Sequence, residues 1–431
     1  MLSTNRFDFK EHESCNYPPL FVALRTSDIR DKNDHKYLSL ALDHENQMVQ
    51  ADYYIGMRWI QCEKEKTVIY VRPKRSDTES QVDYEAIFIS CLNHPIVNRH
   101  LDNCFKVFFD EPAIKIDKSE DIITPMMILS FLGHVNKIVN KGLKRDFVDH
   151  YENLNGKIKG KILVTTNIRA NITKNVLTKT VCKYQSHSLN SRENKIIKAA
   201  LYQVRRFVFN NLQSNKEIIR IFKSNWIEFE KVQLNEIFPQ DFAKVKTSPF
   251  FKEYKTVLAL ALQIFKHLGW SINQPLKSTS NQYQIPPFYI NMPELFERYC
   301  EVLLRNHYRG KLSSGYGYDD NSSETVVGTN FGSLRPDFLL ESKIIDAKYK
   351  YLASGNIEKK DLQQVALYGR NIEILSKIGI KDNEIPKLIF LVPVKSDTLL
   401  ISLTLDNNNL VELPGLFFKE IYKCYIPLPV K

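Results

Sequence analysis

The segment from Arg335 to Lys350 limits the possible folds of this chain more than any other stretch. An apolar run, a polar three-residue turn and an alternating run predict a β-hairpin. Successive side chains point to opposite faces of a strand, so Asp346, Lys348 and Lys350 are predicted to share one face of the second strand. Asp337 opens the first strand after a proline, which suits a strand start because it donates no ladder hydrogen bond. The hairpin is therefore expected to gather two carboxylates and an ammonium group at one end of a small sheet.

These grouped charges predict a metal site. Mg²⁺ prefers oxygen ligands in octahedral geometry and takes one or two protein carboxylates, which leaves positions for water and a substrate phosphate. Asp337 and Asp346 fit that demand, and the backbone carbonyl of Ala347 offers a third oxygen. Lys348 is then expected to orient the attacking water and to stabilise the charge that develops on the phosphate. The pattern predicts hydrolysis of a phosphodiester with Mg²⁺ as the cofactor.

The Asp/Glu-x-Lys triplet alone is not specific. The chain also contains it at other positions, which include Asp8, Asp34, Glu193, Glu253, Glu341 and Glu358. What distinguishes Asp346 is the Pro336-Asp337 pair nine residues earlier, with strand-like sequence on both sides of a turn. The alternative is a surface hairpin whose charges are only solvated.

The segment before the hairpin predicts a helix from Pro293 to Tyr308, with a proline near its first turn. Its apolar residues fall on one stripe at helical spacing: Leu295, Phe296, Tyr299, Val302 and Leu303. Glu297 lies on the flank of that stripe, from which it is expected to point toward the sheet.

The segment after the hairpin predicts a helix from Ile357 to Lys377 and then a short buried strand from Leu388 to Val392. Gln364 and Tyr368 are four residues apart and therefore share one face of that helix. The predicted order is helix, two or three strands, helix, strand.

This arrangement resembles the PD-(D/E)xK nuclease superfamily and, more narrowly, McrC, the nuclease subunit of McrBC-type and LlaJI-type restriction systems. The resemblance rests on these motifs: Leu295-Phe296-Glu297, Arg335-Pro336-Asp337, Asp346-Ala347-Lys348-Tyr349-Lys350, Asp361-Leu362-x-Gln364-x-x-x-Tyr368, Gly156-Lys157-Ile158-Lys159-Gly160-Lys161-Ile162 and Asn190-Ser191-Arg192-Glu193-Asn194-Lys195. It extends from about residue 50 to 395, and the nuclease end is its specific part. One departure is Gln363, where the family often has an aromatic residue.

The resemblance implies a Mg²⁺-dependent DNA endonuclease subunit of an McrBC-like restriction system. Such a subunit hydrolyses double-stranded DNA when it is assembled with a separate McrB-like AAA+ NTPase subunit. The implied catalytic residues are Asp337, Asp346, Lys348, Glu297, Gln364 and Tyr368. The implied metal ligands are Asp337, Asp346 and the Ala347 carbonyl.

Composition agrees with a nucleic-acid partner. Lys and Arg outnumber Asp and Glu by 60 to 49, a net charge of +11, which favours a polyanion. No run approaches eighteen apolar residues and the N-terminus is polar, so a cytoplasmic protein without membrane contact is expected. The seven cysteines are scattered without a metal-binding spacing, which favours reduced thiols.

The pattern along the chain predicts a multidomain α+β protein with three parts. A β-rich domain is expected over 1–115, a mainly helical connecting region over 116–280, and the PD-(D/E)xK α/β nuclease core over 281–431. The resemblance implies that the first part docks on the partner ring. A stretch at 273–287, rich in Ser, Asn, Gln and Pro, is predicted to be a linker.

The β-rich part is predicted from strands at Tyr53–Ile60 and Thr67–Val71, with further apolar runs at 86–90 and 105–109. Gly56 within the first strand predicts a bulge or a close backbone approach. A last strand is expected at Leu399–Leu405.

The helical part is predicted from segments at 122–144, 193–211, 217–232 and 254–268. The lysine-rich residues 151–170 interrupt it and predict a basic hairpin or loop. That segment either contacts the DNA backbone or is a solvated turn.

Two other functions remain open at this point. The chain has no Gly-x-x-x-x-Gly-Lys-Ser/Thr motif, so any coupled nucleotide hydrolysis belongs to another polypeptide. One alternative is a non-catalytic adaptor that activates the partner NTPase and keeps a relic nuclease fold, although Asp337, Asp346 and Lys348 are all in place. The other is a stand-alone repair or junction nuclease, which the long preceding chain disfavours.

Overall fold

The protein is seen in a computed structural model, which has a mixed α and β architecture, as the α+β prediction states. The residues it describes are 6–11, 14–16, 40–43, 48–51, 53–62, 65–72, 82–94, 96–101, 104–108, 111–117, 123–211, 216–245, 252–268, 282–314, 327–328, 332–333, 335–349, 357–381, 384–396, 400–413 and 420–430. Within these ranges, no helix combines the length and the apolar character that crossing a membrane requires.

The described residues form the following strands: β1 (Arg6–Lys10), β2 (Ser14–Asn16), β3 (Leu40–Asp43), β4 (Met48–Ala51), β5 (Tyr54–Cys62), β6 (Glu65–Arg72), β7 (Phe105–Val107), β8 (Ile114–Asp117), β9 (Asp146–Asn155), β10 (Lys161–Ile162), β11 (Lys179–Ser188), β12 (Gln282–Ile285), β13 (Phe288–Asn291), β14 (Ser313–Ser314), β15 (Val327–Gly328), β16 (Gly332–Ser333), β17 (Phe338–Leu340), β18 (Lys343–Ala347), β19 (Lys387–Ser396), β20 (Val411–Glu412) and β21 (Ile421–Pro429). Their α-helices are α1 (Tyr84–Asn93), α2 (Ile123–Lys141), α3 (Val164–Ala170), α4 (Arg192–Asn211), α5 (Lys216–Glu228), α6 (Pro239–Ala243), α7 (Lys252–Leu268), α8 (Met292–Tyr308), α9 (Lys359–Tyr368) and α10 (Ile372–Lys377).

The chain divides into two compact units, of which the first is discontinuous in sequence. Unit 1 combines Met1–Ile116 with Gln284–Lys431, and unit 2 is Asp117–Tyr283. The predicted boundaries lie close to these limits. The first and third predicted domains, however, occur together in unit 1.

One strand of the second segment of unit 1 lies within a sheet of the first. The first sheet has the order β1-β6-β5-β13-β7, so β13 lies between two strands that precede it in sequence by the whole of unit 2. Phe288 of β13 pairs with Met57 on one side and with Val107 on the other. The first sheet is therefore complete only when the segment after unit 2 has been added.

Gly56 makes this pairing possible. Its φ is +148°, and a Cβ placed on it would lie 2.2 Å from the carbonyl oxygen of Phe288. The prediction of a close backbone approach at this glycine is confirmed.

The second sheet of unit 1 has the order β14-β17-β18-β19-β21-β20 and contains the predicted hairpin. Strands β17 and β18 are antiparallel, whereas β19 runs parallel to β18 and β21 runs parallel to β19. The hairpin turn has two residues rather than three, since Leu340 already pairs with Lys343. Ser342 adopts the left-handed conformation in that turn, with a φ of +55°.

Helices α9 and α10 cover one face of the second sheet. The apolar cluster between them includes Ile344, Phe390, Val365, Tyr368 and Ile374. Burial of Val365 and Tyr368 in this cluster fixes the rotation of α9, and thus the direction of its polar residues.

Two predictions are corrected where a side chain caps the start of a helix. The apolar run 86–90, counted with the β-rich region, lies in α1, where Asp83 caps the helix by accepting a hydrogen bond from the backbone N–H of Ala86. A short apolar run fits a strand and a buried helix equally well. Here the Asp83 cap stabilises the helix. The predicted helix 357–377 is broken into α9 and α10, because the Asn371 side chain caps a new helix start.

The predicted strand Leu399–Leu405 is also wrong for its described part, since residues 400–405 are not in a strand. The last long strand is β21, which pairs along its whole length with β19.

Unit 2 contains helices α2 and α4 to α7 and one three-stranded sheet of order β10-β11-β9. The predicted basic hairpin or loop at 151–170 includes the end of β9, strand β10 and helix α3. Of the predicted linker, residues 273–281 lie outside the described ranges, and 282–285 form β12.

We predict that Gly56→Val disrupts the pairing of β5 with β13. The added side chain collides with the backbone of Phe288, so we expect a loss of about 2 kcal/mol or more in the free energy of unfolding of unit 1. Urea denaturation, with hydrogen exchange of peptides from both strands, measures this. Gly310→Ala is the control, because a Cβ there meets nothing within 4 Å. Equal protection of β5 and β13 in the Gly56 variant would contradict the prediction.

Candidate active site

The hairpin register brings the two predicted acids together. Phe338 pairs with Ile345, so continuing the ladder by one residue places Asp337 opposite Asp346. Oδ2 of Asp337 accepts a hydrogen bond of 2.7 Å from the backbone N–H of Ala347. Asp346 is only 1% exposed, whereas Asp337 is partly exposed. The acids therefore meet at the end of the hairpin opposite its turn, as predicted.

Lys348 is held between the sheet and α9. Its Nζ lies 2.8 Å from Oδ2 of Asp346 and donates a hydrogen bond of 3.0 Å to Oε1 of Gln364. Its backbone N–H donates to the carbonyl of Leu391 on β19, at 2.9 Å. Two side-chain contacts and one backbone contact thus determine where the ammonium group lies.

Gln364 and Tyr368 share one face of α9 and connect it to the start of the hairpin. Nε2 of Gln364 donates to the Tyr368 hydroxyl at 2.6 Å, and that hydroxyl donates to the carbonyl of Arg335 at 2.9 Å. Arg335 precedes the Pro336-Asp337 pair, so this chain of hydrogen bonds runs from Lys348 back to the residues before Asp337. The structure brings both predicted α9 residues to the site.

Glu297 approaches the site from α8. Its carboxylate pairs with Arg298, and it is close enough to Asp337 for each negative charge to act on the other. The expectation that Glu297 points toward the sheet agrees with this placement.

The acids of the site repel one another. Burial, and then the negative charge of Asp346, raise the pKa of Asp337 to about 7, against the opposing effects of the Ala347 N–H and of Lys348. Burial and the charge of Asp337 raise the pKa of Glu297 well above its usual range. Burial acts to lower the pKa of Lys348, but the contact with Asp346 and the negative charges of Asp346, Asp337 and Asp361 together outweigh it, and the pKa is raised. The site holds more negative charge than one lysine offsets.

This excess of negative charge suits a divalent cation. No group of three or more His, Cys, Asp or Glu residues in the described ranges is arranged to hold a metal ion. Two carboxylates and the Ala347 carbonyl nevertheless fit Mg²⁺, which keeps several waters and needs few protein ligands. A cation at this position would also relieve the repulsion between Asp337 and Asp346.

Two features of the site were not among the predicted site residues. Asp361 of α9 is buried, and its Oδ1 lies 3.9 Å from Nζ of Lys348. Asp361 lies three residues before Gln364, and this helical spacing indicates that the two share a face of α9. Arg298 is completely buried beside Glu297. Its spacing from the neighbouring glutamates was visible too, but such a pattern is also typical of a solvated helix face.

A family model described as the McrBC 5-methylcytosine restriction system component matches residues 49–377. The chain belongs to the McrBC family. The matched region includes every predicted site residue of this McrBC-family protein, from Glu297 on α8 to Tyr368 on α9. The resemblance noted from the sequence motifs is confirmed.

Solved structures with similarity to this McrBC-family chain include two from Thermococcus gammatolerans. One is a half-complex from the tetradecameric assembly of McrB AAA+ hexamers with bound McrC, with 15% identity over 99% of this chain and 95% of that chain, at a TM-score of 0.41. The other is the McrBC complex, with 14% identity over 69% of this chain and 86% of that chain, at a TM-score of 0.34. No curated protein matches the chain significantly.

We predict that Asp337→Asn stabilises the McrBC-family protein at alkaline pH when divalent cations are removed. An acid with a raised pKa binds its proton more tightly in the folded state, so the stability of the wild type falls as pH rises from about 4 through about 7. The amide removes this effect. The melting temperature of the variant should exceed that of the wild type by several degrees near about pH 8.5, and the difference should shrink toward about pH 4.

Thermal unfolding in a chelating buffer across this pH range measures the difference. Glu412→Gln, at an exposed position of β20 in the same sheet, is the control and should show no such trend. A difference that does not change with pH would contradict the electrostatic account of the site.

Proposed function

We propose that this protein is the McrC-type nuclease subunit of an McrBC-like restriction system, with the PD-(D/E)xK core in the second sheet of unit 1. In this proposal it is a Mg²⁺-dependent endonuclease that hydrolyses the phosphodiesters of double-stranded DNA. The observation that supports it most is the meeting of Asp337, Asp346 and Lys348 at one end of the hairpin. Membership of the McrBC family, a restriction system component, gives this geometry its context.

The proposed partner is a separate McrB-like AAA+ NTPase subunit. This chain has no phosphate-binding Gly-x-x-x-x-Gly-Lys-Ser/Thr loop, so nucleotide hydrolysis is assigned to another polypeptide. The net charge of +11 supports a polyanionic substrate through counterion release.

The metal ligands in this proposal are Asp337, Asp346 and the carbonyl of Ala347. A bound Mg²⁺ supplies Lewis acidity toward a phosphate oxygen and lowers the pKa of water. The hydrogen bond from the Ala347 N–H fixes the Asp337 carboxylate, and the hairpin ladder fixes Asp346 opposite it. The carboxylate of Asp346 on β18 and that of Asp337, just before β17, are therefore held in place before a cation arrives.

Lys348 provides the positive charge for the phosphate. The contacts of its ammonium group with Asp346 and Gln364 hold it at the mouth of the site, and its pKa keeps it protonated at neutral pH. A fixed cation stabilises negative charge as it develops on the attacked phosphate, because no reorganisation is needed during the reaction. Gln364 is in turn oriented by Tyr368.

We predict that Asp346→Asn, or Asp337→Asn, abolishes cleavage while the fold and the binding of the partner stay nearly intact. The amide keeps the size of the side chain but removes a charge that holds the cation. We expect a loss of about 10³-fold or more in the cleavage rate. Cleavage of a DNA substrate by the complex assembled with the partner NTPase measures this.

Glu341→Gln is the matched control, because Glu341 lies in the turn of the same hairpin and its carboxylate pairs with the exposed Lys311. The Asp346→Asn complex should retain partner-dependent nucleotide hydrolysis. Wild-type cleavage by that variant would exclude the site. If the wild type stimulates the partner but cuts no DNA, the protein is an adaptor instead.

We predict that Lys348→Ala separates metal binding from chemistry. Both carboxylates remain, so Mg²⁺ should still bind, whereas the cleavage rate should fall by about 10²-fold or more, because a charge contact of the transition state is lost. Calorimetric titration and cleavage assays measure the two effects. Lys343→Ala, in the same hairpin, is the control. Loss of metal binding, with no separate defect in the chemical step, would show that the role assigned to Lys348 is wrong.

A further inference from the structure

Helix α8 contains a buried network of charges. Arg298 is 0% exposed and Glu301 is 1% exposed. Nη1 of Arg298 lies 2.5 Å from Oε2 of Glu301, and its Nε lies 3.3 Å from Oε1 of Glu294. Its Nη2 pairs with Glu297. One guanidinium group thus contacts three carboxylates, of which Glu297 is the one that faces the proposed site.

The network continues beyond Arg298 and returns to the hairpin. Nε of Arg305 lies 2.8 Å from Oε1 of Glu301, and its Nη2 donates to the hydroxyl of Ser314 at 3.0 Å. Ser314 belongs to β14 and pairs with Phe338, the residue that follows Asp337. A continuous set of contacts therefore links Glu297 on the helix to the strand that carries Asp337.

Such a network is poorly explained by stability alone. Burying charges costs several kcal/mol per ion, and well-packed apolar residues of similar volume are often equally stable or more stable. The helix already has an apolar stripe that packs in the core, including Leu295, Tyr299 and Leu303. The buried charges are therefore better explained by what they do to Glu297.

The pair between Glu297 and Arg298 has an unusual geometry. Residues adjacent in sequence do not face each other on a helix, so a contact between their side chains restricts the direction of both. Glu297 is also repelled by the nearby negative charge of Asp337. The contact with the guanidinium of Arg298 opposes a movement of the carboxylate away from Asp337.

We propose that Arg298 is a positioning residue that holds the Glu297 carboxylate beside Asp337. Arg298 itself does not touch the substrate; it acts through Glu297. This inference rests on the proposed function, because Glu297 is taken to act at the metal site. Residues of this supporting kind typically change metal affinity or activity by about 10- to 100-fold.

The test compares two double variants. Each replaces one buried arginine of the network together with Glu301. Replacing Arg298 alone would leave buried carboxylates without their cation and risks unfolding. Arg298→Met with Glu301→Gln removes one positive and one negative charge, and so does Arg305→Met with Glu301→Gln. Both variants carry the Glu301 change and lose one buried arginine. Only the Arg298 variant also loses the contact with Glu297.

We predict that the Arg298 pair of changes weakens Mn²⁺ binding to the DNA-free protein by about 10-fold and slows cleavage by about 10-fold or more. The Arg305→Met, Glu301→Gln variant should stay within about 3-fold of the wild type in Mn²⁺ affinity and in cleavage rate. Its thermal stability should fall to about the same extent as that of the Arg298 double variant. Calorimetry measures Mn²⁺ binding without any reaction. In a Glu297→Gln background, the extra effect of replacing Arg298 should disappear, since its route of action is already removed.

The possible outcomes separate the two hypotheses. Equal effects of the two double variants, or Mn²⁺ binding that is unchanged or tighter in the Arg298 variant, would overturn the positioning role and leave the proposed function standing. Retention of the Arg298 effect in the Glu297→Gln background would overturn it as well. A folded wild type that neither binds Mn²⁺ nor cuts DNA with its partner would overturn the proposed function, and this inference with it.

Discussion

Helix α8 is buried on most of its sides although five of its residues are charged, and much of unit 1 is arranged around that conflict. The helix contacts α1, β13 and β18, so elements from both segments of the unit surround it. A buried charge is tolerated only when it is paired. These pairs join residues of α8 to one another, so each charge restricts the side-chain direction of its partner on the same helix.

The same constraint sets the electrostatics of the site. Asp346 is on a central strand with a neighbour on each side, and Asp337 is held against the end of that strand by the Ala347 N–H. Asp337 can move away from Ala347 only by breaking this hydrogen bond. Their repulsion is thus built into the hairpin register, and the protein offsets it only in part, through Lys348.

The sequence predicted which side chains of the candidate site come together better than it predicted the fold. Asp337, Asp346 and Lys348 were found because a two-residue period and a Pro-Asp start determine their positions within one hairpin, which is a local matter. Gln364 and Tyr368 were implied by the family resemblance, and helical spacing predicted that they share one face. Arg298 was not found, since a charged residue on a helix usually faces solvent and only tertiary packing shows that this one does not.

The architecture of unit 1 depended on pairings that sequence patterns do not show. Nothing in the four residues of β13 indicates that they insert between β5 and β7, although Gly56 gave a sign that some backbone would come close. The break at Asn371 was missed because the residues on both sides of it favour helix. The run at 86–90 was ambiguous, because five apolar residues are too few to show a period.

The discontinuity of unit 1 has a consequence for the order in which the protein is made. The ribosome completes unit 2 before it adds β13, and until then β5 has an open edge on the side that β13 later covers. All the proposed catalytic groups emerge later still, beginning with Glu297. A polypeptide whose synthesis stops within unit 2 therefore contains none of them. An interrupted round of translation would therefore release a fragment that lacks the proposed nuclease activity.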